Sequence, residues 1–372
     1  MEKYLRAYAE VDLDAIGHNI SEVRRIVGSE VKICAVIKAD AYGHGAVAVG
    51  RYLENAVEYF AVATVDEAIE LREAGIRLPI VILSYVSPSR YDEVVQYGVT
   101  QTVYSLETAR LLSEEAGRQG KTAKAHVALD TGMSRIGFQI SEESADDIQK
   151  ISLLPHLELE GMFTHFSCAD MYDKSYSKAQ MERYDRMCGM LDERHVVIPI
   201  KHICNSAGIM EFDSHRFQMV RSGIITYGLY PSEEVDKTAI DLRPAMSFRS
   251  HVVNIHTAPA GIGVSYGATF VTKQPTRIAT VSVGYADGYP RALSGKGRVL
   301  IHGQFAPVLG RVCMDQIMVD ISHIDGVEIE DVVTLFGRDG DHFIPVEEPA
   351  DMSASFNYEF VCSLSRRVTR VY

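Results

Sequence analysis

Two patterns alternate along the chain between about residue 12 and residue 235. Short apolar runs rich in β-branched residues alternate with longer stretches whose apolar residues recur every three or four positions. The first pattern is typical of buried strands and the second of amphipathic helices. Eight such units favour a (β/α)8 TIM-type barrel, and an open doubly wound sheet is the alternative that the pattern leaves open. The predicted strands are Val31–Ala39, Tyr59–Thr64, Pro79–Ser84, Thr100–Ser105, Ala123–Asp130, Leu157–His165, Ile200–Cys204 and Gln218–Arg221.

The pattern changes after about residue 240, where short strand-like runs are separated by Gly, Pro, Asp and Asn without a long helix between them. This texture predicts a C-terminal all-β domain. We therefore expect an α/β chain with the barrel at residues 1–238 and the β-domain at residues 239–372, and residues 1–10 able to pack with the β-domain. The predicted helices of the first part include Val65–Ala74, Leu106–Arg118 and Met181–Arg194, and the β-runs of the second are Arg249–His256, Thr276–Val283, Gly297–Ile301, Phe305–Leu309, Gln316–Asp320 and Asp331–Phe336.

Charge and composition exclude several classes of protein. The 372 residues carry 37 basic and 50 acidic side chains, a formal charge of −13 that argues against a nucleic-acid-binding surface. No apolar run is long enough to span a membrane, and no secretory signal is visible at the start. The six cysteines form no C-x-x-C pair and the histidines lack metal-ligand spacing, so no metal site is expected. These features predict a cytoplasmic protein.

The first strand of the predicted barrel ends in a lysine. Lys38 follows five apolar residues and precedes a glycine-rich turn that ends at Gly45. Burial lowers the pKa of a lysine ammonium, which makes the amine a competent nucleophile or Schiff-base former. The alternative interpretation is that Lys38 has no chemical role and that its ammonium simply reaches water from the end of the strand. In a barrel of this kind the carboxyl ends of the strands carry the chemistry, which favours the functional reading.

Later strand ends carry further polar residues. Arg135 stands in a glycine-bounded turn, from which a guanidinium can bind a carboxylate through two hydrogen bonds. His165 ends the sixth strand, although a single histidine in such a place is more often structural. The last two strands run into Asn205–Gly208 and Arg221–Ile224, whose small residues and backbone N–H groups suit a phosphate. Together these residues predict an anion-binding site on one face of one barrel.

The segment Val36–Gly45 closely resembles the pyridoxal-phosphate (PLP) attachment motif of the alanine racemases. Similar motifs continue to the closing Arg366–Tyr372. The resemblance implies PLP as cofactor, a barrel followed by a β-domain, and a head-to-tail homodimer. It also implies that the chain interconverts L-alanine and D-alanine, a reaction that supplies D-alanine for cell-wall peptidoglycan.

The resemblance also implies roles for individual residues. Lys38 would hold PLP as an aldimine and act as one of two bases, and Tyr266 of a second subunit would be the base on the opposite face. Two bases are needed because racemisation removes a proton from one face of the α-carbon and returns one to the other. Matches at the cofactor are Tyr42, His165, Asn205, Ser206, Arg221, Gly223, Ile224 and Tyr358, and those at the substrate carboxylate are Arg135 and Met314, the latter also from the second subunit.

One position departs from the family pattern. Many alanine racemases carry a carbamylated lysine two residues before the Asp-Thr-Gly-Met run, where it orients the arginine. This chain has Ala128 there. A carbamate cannot form on alanine, so another group must orient Arg135.

Three other functions remain open beside alanine racemisation. A serine racemase could use the same scaffold. A PLP-dependent decarboxylase of basic amino acids has a similar domain order, but those enzymes place an acid where this chain has Arg221. A PLP carrier resembles only the first domain and would lack the residues that bear Tyr266 and Met314.

Overall fold

The computed structural model describes residues 4–214 and 217–372, which form two compact units. One unit contains Asp14–Ala41 and Ala46–Pro244. The other contains the described residues up to Leu13, the short segment Tyr42–Gly45, and Ala245–Tyr372. Each unit is described separately below as the barrel unit and the β-unit.

The barrel unit is built on eight parallel strands. Their numbering starts at two, because the first strand of the chain, β1 (Ala7–Val11), belongs to the β-unit. All eight predicted strands are confirmed, and most are shorter than predicted because the turn residues at their ends do not join the sheet. The strands are β2 (Lys32–Val36), β3 (Tyr59–Val62), β4 (Ile80–Ile82), β5 (Thr100–Val103), β6 (Ala123–Ala128), β7 (Leu157–Phe163), β8 (Ile200–His202) and β9 (Met219–Ser222). They lie in the sheet in the order β8-β7-β6-β5-β4-β3-β2-β9.

Two backbone hydrogen bonds connect the ends of this strand order. The Gln218 N–H donates to the carbonyl of Lys201 at 3.1 Å, and the Arg221 N–H donates to the carbonyl of Cys204 at 2.9 Å. Because β9 also pairs with β2, the sheet is a nearly closed barrel. The predicted TIM-type barrel is therefore confirmed, and the open sheet is wrong.

Helices follow most of the barrel strands. The predicted helix Leu106–Arg118 has the same bounds in the structure, whereas the helix predicted from Met181 begins six residues earlier, at Ser175. Its first turns bury Ser177 and Gln180, polar residues that an apolar periodicity cannot reveal. The helices of this part are α1 (Leu13–Val27), α2 (Lys38–Tyr42), α3 (Ala46–Leu53), α4 (Val65–Glu73), α5 (Tyr91–Gln96), α6 (Leu106–Arg118), α7 (Glu142–Ser152), α8 (Ser175–Glu193) and α9 (Ser206–Glu211).

The β-unit contains a nine-stranded sheet, and its six predicted strands are confirmed. Its later strands are β10 (Met246–Ala258), β11 (Gly263–Val264), β12 (Phe270–Val271), β13 (Thr276–Val281), β14 (Arg298–Ile301), β15 (Gln304–Leu309), β16 (Ile317–Asp320), β17 (Val332–Asp339), β18 (His342–Ile344) and β19 (Thr369–Val371), with the short helices α10 (Glu347–Met352) and α11 (Asn357–Cys362). The strand order in the sheet is β18-β17-β14-β15-β16-β13-β10-β1-β19. The early strand β1 pairs antiparallel with β10 and parallel with β19, so strands from both ends of the chain lie in one sheet.

Across residues 4–214 and 217–372, no helix combines the length and the apolar character that a membrane span requires.

Candidate active site

Lys38 begins an unusual turn of chain at the carboxyl end of β2. Ala39, Asp40 and Ala41 have φ of 52°, 53° and 52° with ψ near 50°, so α2 is a left-handed turn. For residues other than glycine this conformation costs about 1–2 kcal/mol each, and it persists only where other contacts hold it. The Ala41 N–H donates to the carbonyl of Ile37 at 3.0 Å, and the Ala46 N–H donates to Asp40 Oδ1 at 2.7 Å.

Glu67 connects this turn to the start of α4. Its Oε1 accepts the Ala39 N–H at 2.7 Å, while its Oε2 accepts the N–H groups of Ala63 at 2.7 Å and Thr64 at 3.1 Å. Thr64 in turn accepts the Glu67 N–H through its side chain, which completes a capping box. One carboxylate thus fixes the backbone that follows Lys38.

Arg221 lies on β9 next to β2, directly opposite Cys34 in the pairing register. The side chain is only 2% exposed, yet its hydrogen-bond partners in the described residues are all neutral. One terminal nitrogen donates to His202 Nδ1 at 2.8 Å. The other donates to His165 Nδ1 at 3.0 Å and to the carbonyl of Thr164 at 2.8 Å. Burial lowers the pKa of Arg221 to about 10, so the guanidinium stays charged at neutral pH.

The guanidinium determines the protonation of both imidazoles. Because arginine donates hydrogen bonds and cannot accept them, His165 and His202 must each accept at Nδ1 and carry their proton on Nε2. Burial, with the positive charge of Arg221 as the next cause, holds the pKa of both histidines well below the usual range. Both rings are therefore neutral.

Arg135 and His165 line one small cleft together with Ala128. Arg135 is exposed and makes no hydrogen bond or ion pair with any residue that the structure describes, so its guanidinium is available to an anion. Its turn is held by Asp130, whose Oδ1 accepts the N–H groups of Gly132 at 3.0 Å and Ser134 at 2.9 Å.

A side-chain hydrogen bond connects the segments that follow β8 and β9. The buried hydroxyl of Ser206 accepts the Gly223 N–H at 3.0 Å. Asn205 caps α9 by accepting the Gly208 N–H at 2.9 Å, and Ile224 begins a short 3-10 turn that ends at Tyr227. The predicted residues Asn205, Ser206, Gly223 and Ile224 are therefore close neighbours.

The remaining predicted residues lie in the β-unit. The rings of Tyr42 and Tyr358 are 6.1 Å apart, and burial raises the pKa of Tyr42. Tyr266 and Met314 line a cleft of about 690 Å³ with Cys313. Tyr266 is 70% exposed and Met314 52% exposed. The phenol of Tyr266 makes no hydrogen bond within the described part of the chain, so it can receive a partner from outside.

The sequence pattern does not single out two residues that contact the candidate site, Glu67 and His202. Glu67 lies inside the predicted helix Val65–Ala74 and His202 inside the predicted strand Ile200–Cys204, where the apolar pattern assigns neither of them a role. A polar residue at an apolar position of a buried strand, as in Ala125-His126-Val127, is the signal that could have identified the histidines.

Known proteins resemble this chain over its whole length. The family model of the alanine racemase N-terminal domain matches residues 11–231, and that of the alanine racemase C-terminal domain matches residues 245–372. Alanine racemase 2 of Caldanaerobacter subterraneus subsp. tengcongensis is 46% identical over 364 residues, which cover 98% of this chain and 94% of that protein.

Solved structures show the same likeness. The alanine racemase of Clostridium difficile 630 is 45% identical with a TM-score of 0.96, and the match covers 100% of this chain and 96% of that one. A histidine racemase of Leuconostoc mesenteroides subsp. sake is 29% identical with a TM-score of 0.91, and the match covers 99% and 98% of the two chains. With both of its domains matched by the family models, this chain belongs to the alanine racemase family.

Proposed function

We propose that this chain is a PLP-dependent isomerase that interconverts L-alanine and D-alanine by a two-base mechanism. Membership of the alanine racemase family supports the reaction. The observation that carries the assignment of the site is the position of Arg221. This buried residue lies on β9, next to the strand β2 that leads to Lys38, and donates hydrogen bonds to two neutral imidazoles.

The residues present fit PLP. A lysine amine can condense with an aldehyde, and the Ser206 hydroxyl with the N–H groups near Gly223 and Ile224 can bind a phosphate. Arg221 donates but cannot accept, so it would pair with an unprotonated pyridine nitrogen. We propose that Tyr42, Tyr358, Asn205 and His165 complete the cofactor site. When bound, the cofactor would stabilise negative charge at the substrate α-carbon.

The chain's own residues would move the protons. We propose that Lys38 Nζ exchanges a proton on one face of the α-carbon, and that the phenol oxygen of Tyr266 does so on the other. Arg135 would bind the substrate carboxylate through its uncommitted guanidinium. A guanidinium at the ring nitrogen would keep that nitrogen unprotonated, which limits electron withdrawal and disfavours side reactions such as transamination.

We further propose a homodimer in which Tyr266 and Met314 serve the site of the second subunit. Their exposure supports this, because a base and a lining residue of a working site are expected to be covered when the site is complete. A monomer with full activity would contradict the proposal.

A role in supplying D-alanine for peptidoglycan and a cytoplasmic location belong to the same proposal. The six cysteines, all within the described residues, form no disulfide, which is typical of a reducing compartment.

The test is to incubate the purified protein with L-alanine in deuterated water and to follow product chirality and α-deuterium. Appearance of D-alanine that carries deuterium supports the proposal, and absence of both contradicts it. Parallel incubations with serine, histidine and lysine measure how strict the enzyme is. Release of carbon dioxide would instead indicate a decarboxylase.

A further inference from the structure

The hydrogen-bond network of Arg221 continues through the inside of the barrel. His202, which accepts from Arg221 at Nδ1, lies with its Nε2 at 3.0 Å from Nδ1 of His126. His126 Nε2 lies 3.4 Å from Oε2 of Glu160. Both imidazoles are fully buried. His126 Nε2 makes no hydrogen bond among the described residues, and the Glu160 carboxylate is the acceptor that it faces, at a distance longer than a usual N–H···O bond. Two imidazoles thus connect Arg221 to a carboxylate.

The two hydrogen bonds of this series point the same way, from Arg221 towards Glu160. Because Arg221 only donates, His202 Nδ1 accepts and the proton of His202 sits on Nε2. His202 must then donate to His126 Nδ1, which leaves the proton of His126 on Nε2, facing Glu160. A neutral imidazole with its proton on the other nitrogen would place two donors or two acceptors against each other.

Glu160 is suited to end the series because it stays ionised. Its side chain is 7% exposed. Although burial raises its pKa, the contacts with His126 and Lys124 hold that pKa at about 2. Oε1 accepts from Lys124 Nζ at 2.6 Å and from the Tyr59 hydroxyl at 3.1 Å. Oε2 faces His126 and the Thr100 hydroxyl, the latter at 3.4 Å. Each oxygen therefore has donors of its own.

We propose that Glu160 is a positioning residue that acts through His126 and His202 to hold Arg221 in a fixed hydrogen-bonded state. The carboxylate favours the same tautomers that Arg221 requires, and so helps to keep His202 an acceptor for the guanidinium. The expected effect on turnover rests on the proposed function, in which Arg221 contacts the cofactor. The direction of the hydrogen bonds is independent of that function.

Glutamine at position 160 creates a conflict that tests this role. A carboxylate accepts with both oxygens, but the single amide oxygen of Glu160→Gln can serve either Lys124 or His126. If the charged Lys124 takes the oxygen, the amide NH2 faces His126 and reverses the tautomers of both histidines. His202 would then present an N–H to Arg221, and that hydrogen bond would be lost.

The first measurement needs no variant. Nitrogen-15 NMR of the histidine-labelled protein distinguishes the two tautomers, because protonated and unprotonated ring nitrogens differ in chemical shift. We expect protons on Nε2 of His126, His165 and His202. An imidazolium at His126, or a proton on its Nδ1, would overturn the proposal even if no variant folds.

The second measurement compares variants. We expect Glu160→Gln to reverse or mix the tautomers, to shift the visible absorption of the cofactor, and to lower kcat/KM by roughly ten- to hundredfold, as for the loss of outer partners of a site residue. Glu158→Gln is the matched control, because Glu158 lies on the same strand and only 3.9 Å from Lys124 but is 54% exposed. It is expected to behave as the wild type.

A double variant supplies the rescue. Lys124→Met with Glu160→Gln removes the donor-only ammonium. The remaining neighbour, the Tyr59 hydroxyl, can accept from the amide NH2, so the amide oxygen can face His126 again. We expect the wild-type tautomers and most of kcat/KM to return. Reversed tautomers with wild-type kcat/KM, or a Glu160→Gln variant indistinguishable from Glu158→Gln, would overturn the proposed positioning role. If the wild type fails to racemise alanine, the proposed function fails, while the NMR pattern still decides the direction of the hydrogen bonds.

Discussion

Arg221 is a buried cation whose immediate hydrogen-bond partners are all neutral within the described residues. Water is largely excluded from it, so its charge must be stabilised by dipoles and by more distant anions. Carbonyl oxygens and two imidazole nitrogens supply the dipoles, and Glu160 is the anion two rings away. A donor-only cation held in this way can offer a hydrogen bond to a ring nitrogen without transferring its proton.

Lys38 is the residue on which retention of the cofactor is expected to depend. Lys38→Ala removes the amine that would bind PLP covalently, so the purified variant should lose its cofactor and yellow colour on dialysis. Visible absorption before and after dialysis measures this. Lys178→Ala, an exposed lysine on α8, is the control and should stay coloured. Persistent colour in Lys38→Ala would contradict the assignment.

Tyr266 is expected to exchange the α-proton of L-alanine. Tyr266→Phe removes only the hydroxyl, so it should slow α-deuterium incorporation into L-alanine more than into D-alanine, by roughly 10²- to 10⁴-fold, the usual contribution of a general base. The rate of α-deuterium incorporation from each enantiomer measures the effect. Tyr4→Phe, at an exposed tyrosine of the same unit, serves as control. Equal incorporation from both enantiomers at the wild-type rate would exclude Tyr266 as a base.

Among the elements, α4 holds the turn that carries Lys38. Glu67→Ala removes the acceptor of three backbone N–H groups, at Ala39, Ala63 and Thr64. A lost capping box and a lost hydrogen bond each cost about 1 kcal/mol, so we expect a decrease of about 1–3 kcal/mol in the free energy of unfolding and weaker PLP binding. Urea denaturation and PLP titration measure these. Glu70→Ala, exposed on the same helix, should change neither.

Strand β7 passes His126 so closely that it needs a glycine. A Cβ at Gly161 would lie 2.6 Å from Cε1 and Nε2 of the His126 ring. We therefore expect Gly161→Ala to destabilise the fold by about 1–3 kcal/mol, as overpacking does. Urea denaturation measures this loss. Gly189→Ala is the control, because a Cβ at Gly189 on α8 would have no atom within 4 Å. If both variants unfold at the same urea concentration, the packing argument is wrong.

For the whole molecule, buried neutral histidines predict how stability depends on pH. Burial lowers the pKa of His126, His165 and His202 in the folded state, so the unfolded chain binds more protons below about pH 6.5. The stability they contribute is present above that pH and is lost as the pH falls. Each should reduce the free energy of unfolding by about 1.4 kcal/mol per pH unit.

Urea denaturation between about pH 6.5 and pH 5 measures this slope, because the lowered pKa of Glu160 adds its own loss only below its ordinary value near 4.5. His165→Gln keeps an acceptor for Arg221 but removes one titrating group, so the slope should become shallower. His256→Gln, an exposed histidine on β10, should keep the wild-type slope. A slope unaffected by His165→Gln would contradict the prediction.

Hydrophobic periodicity alone predicts the two kinds of architecture and locates several residues of the candidate site. It reveals buried strands and amphipathic helices because each has a fixed repeat, and strand ends in a barrel must share one face. The same pattern puts Lys38, Arg221, Ser206 and Gly223 at the carboxyl ends of predicted strands. Periodicity does not predict whether the sheet closes into a barrel, because the strands and helices of an open sheet have the same hydrophobic repeats.

How these residues are held depends on contacts between distant parts of the chain. The apolar pattern predicted that the first barrel strand continues to Ala39, but β2 ends at Val36 and the chain enters a left-handed turn held by Glu67, 28 positions later. His126, Glu160 and His202 lie on three different strands, and only the closed barrel brings their side chains together. Periodicity records which face of a strand is buried. The direction of a hydrogen bond depends on which donor and acceptor meet inside the barrel.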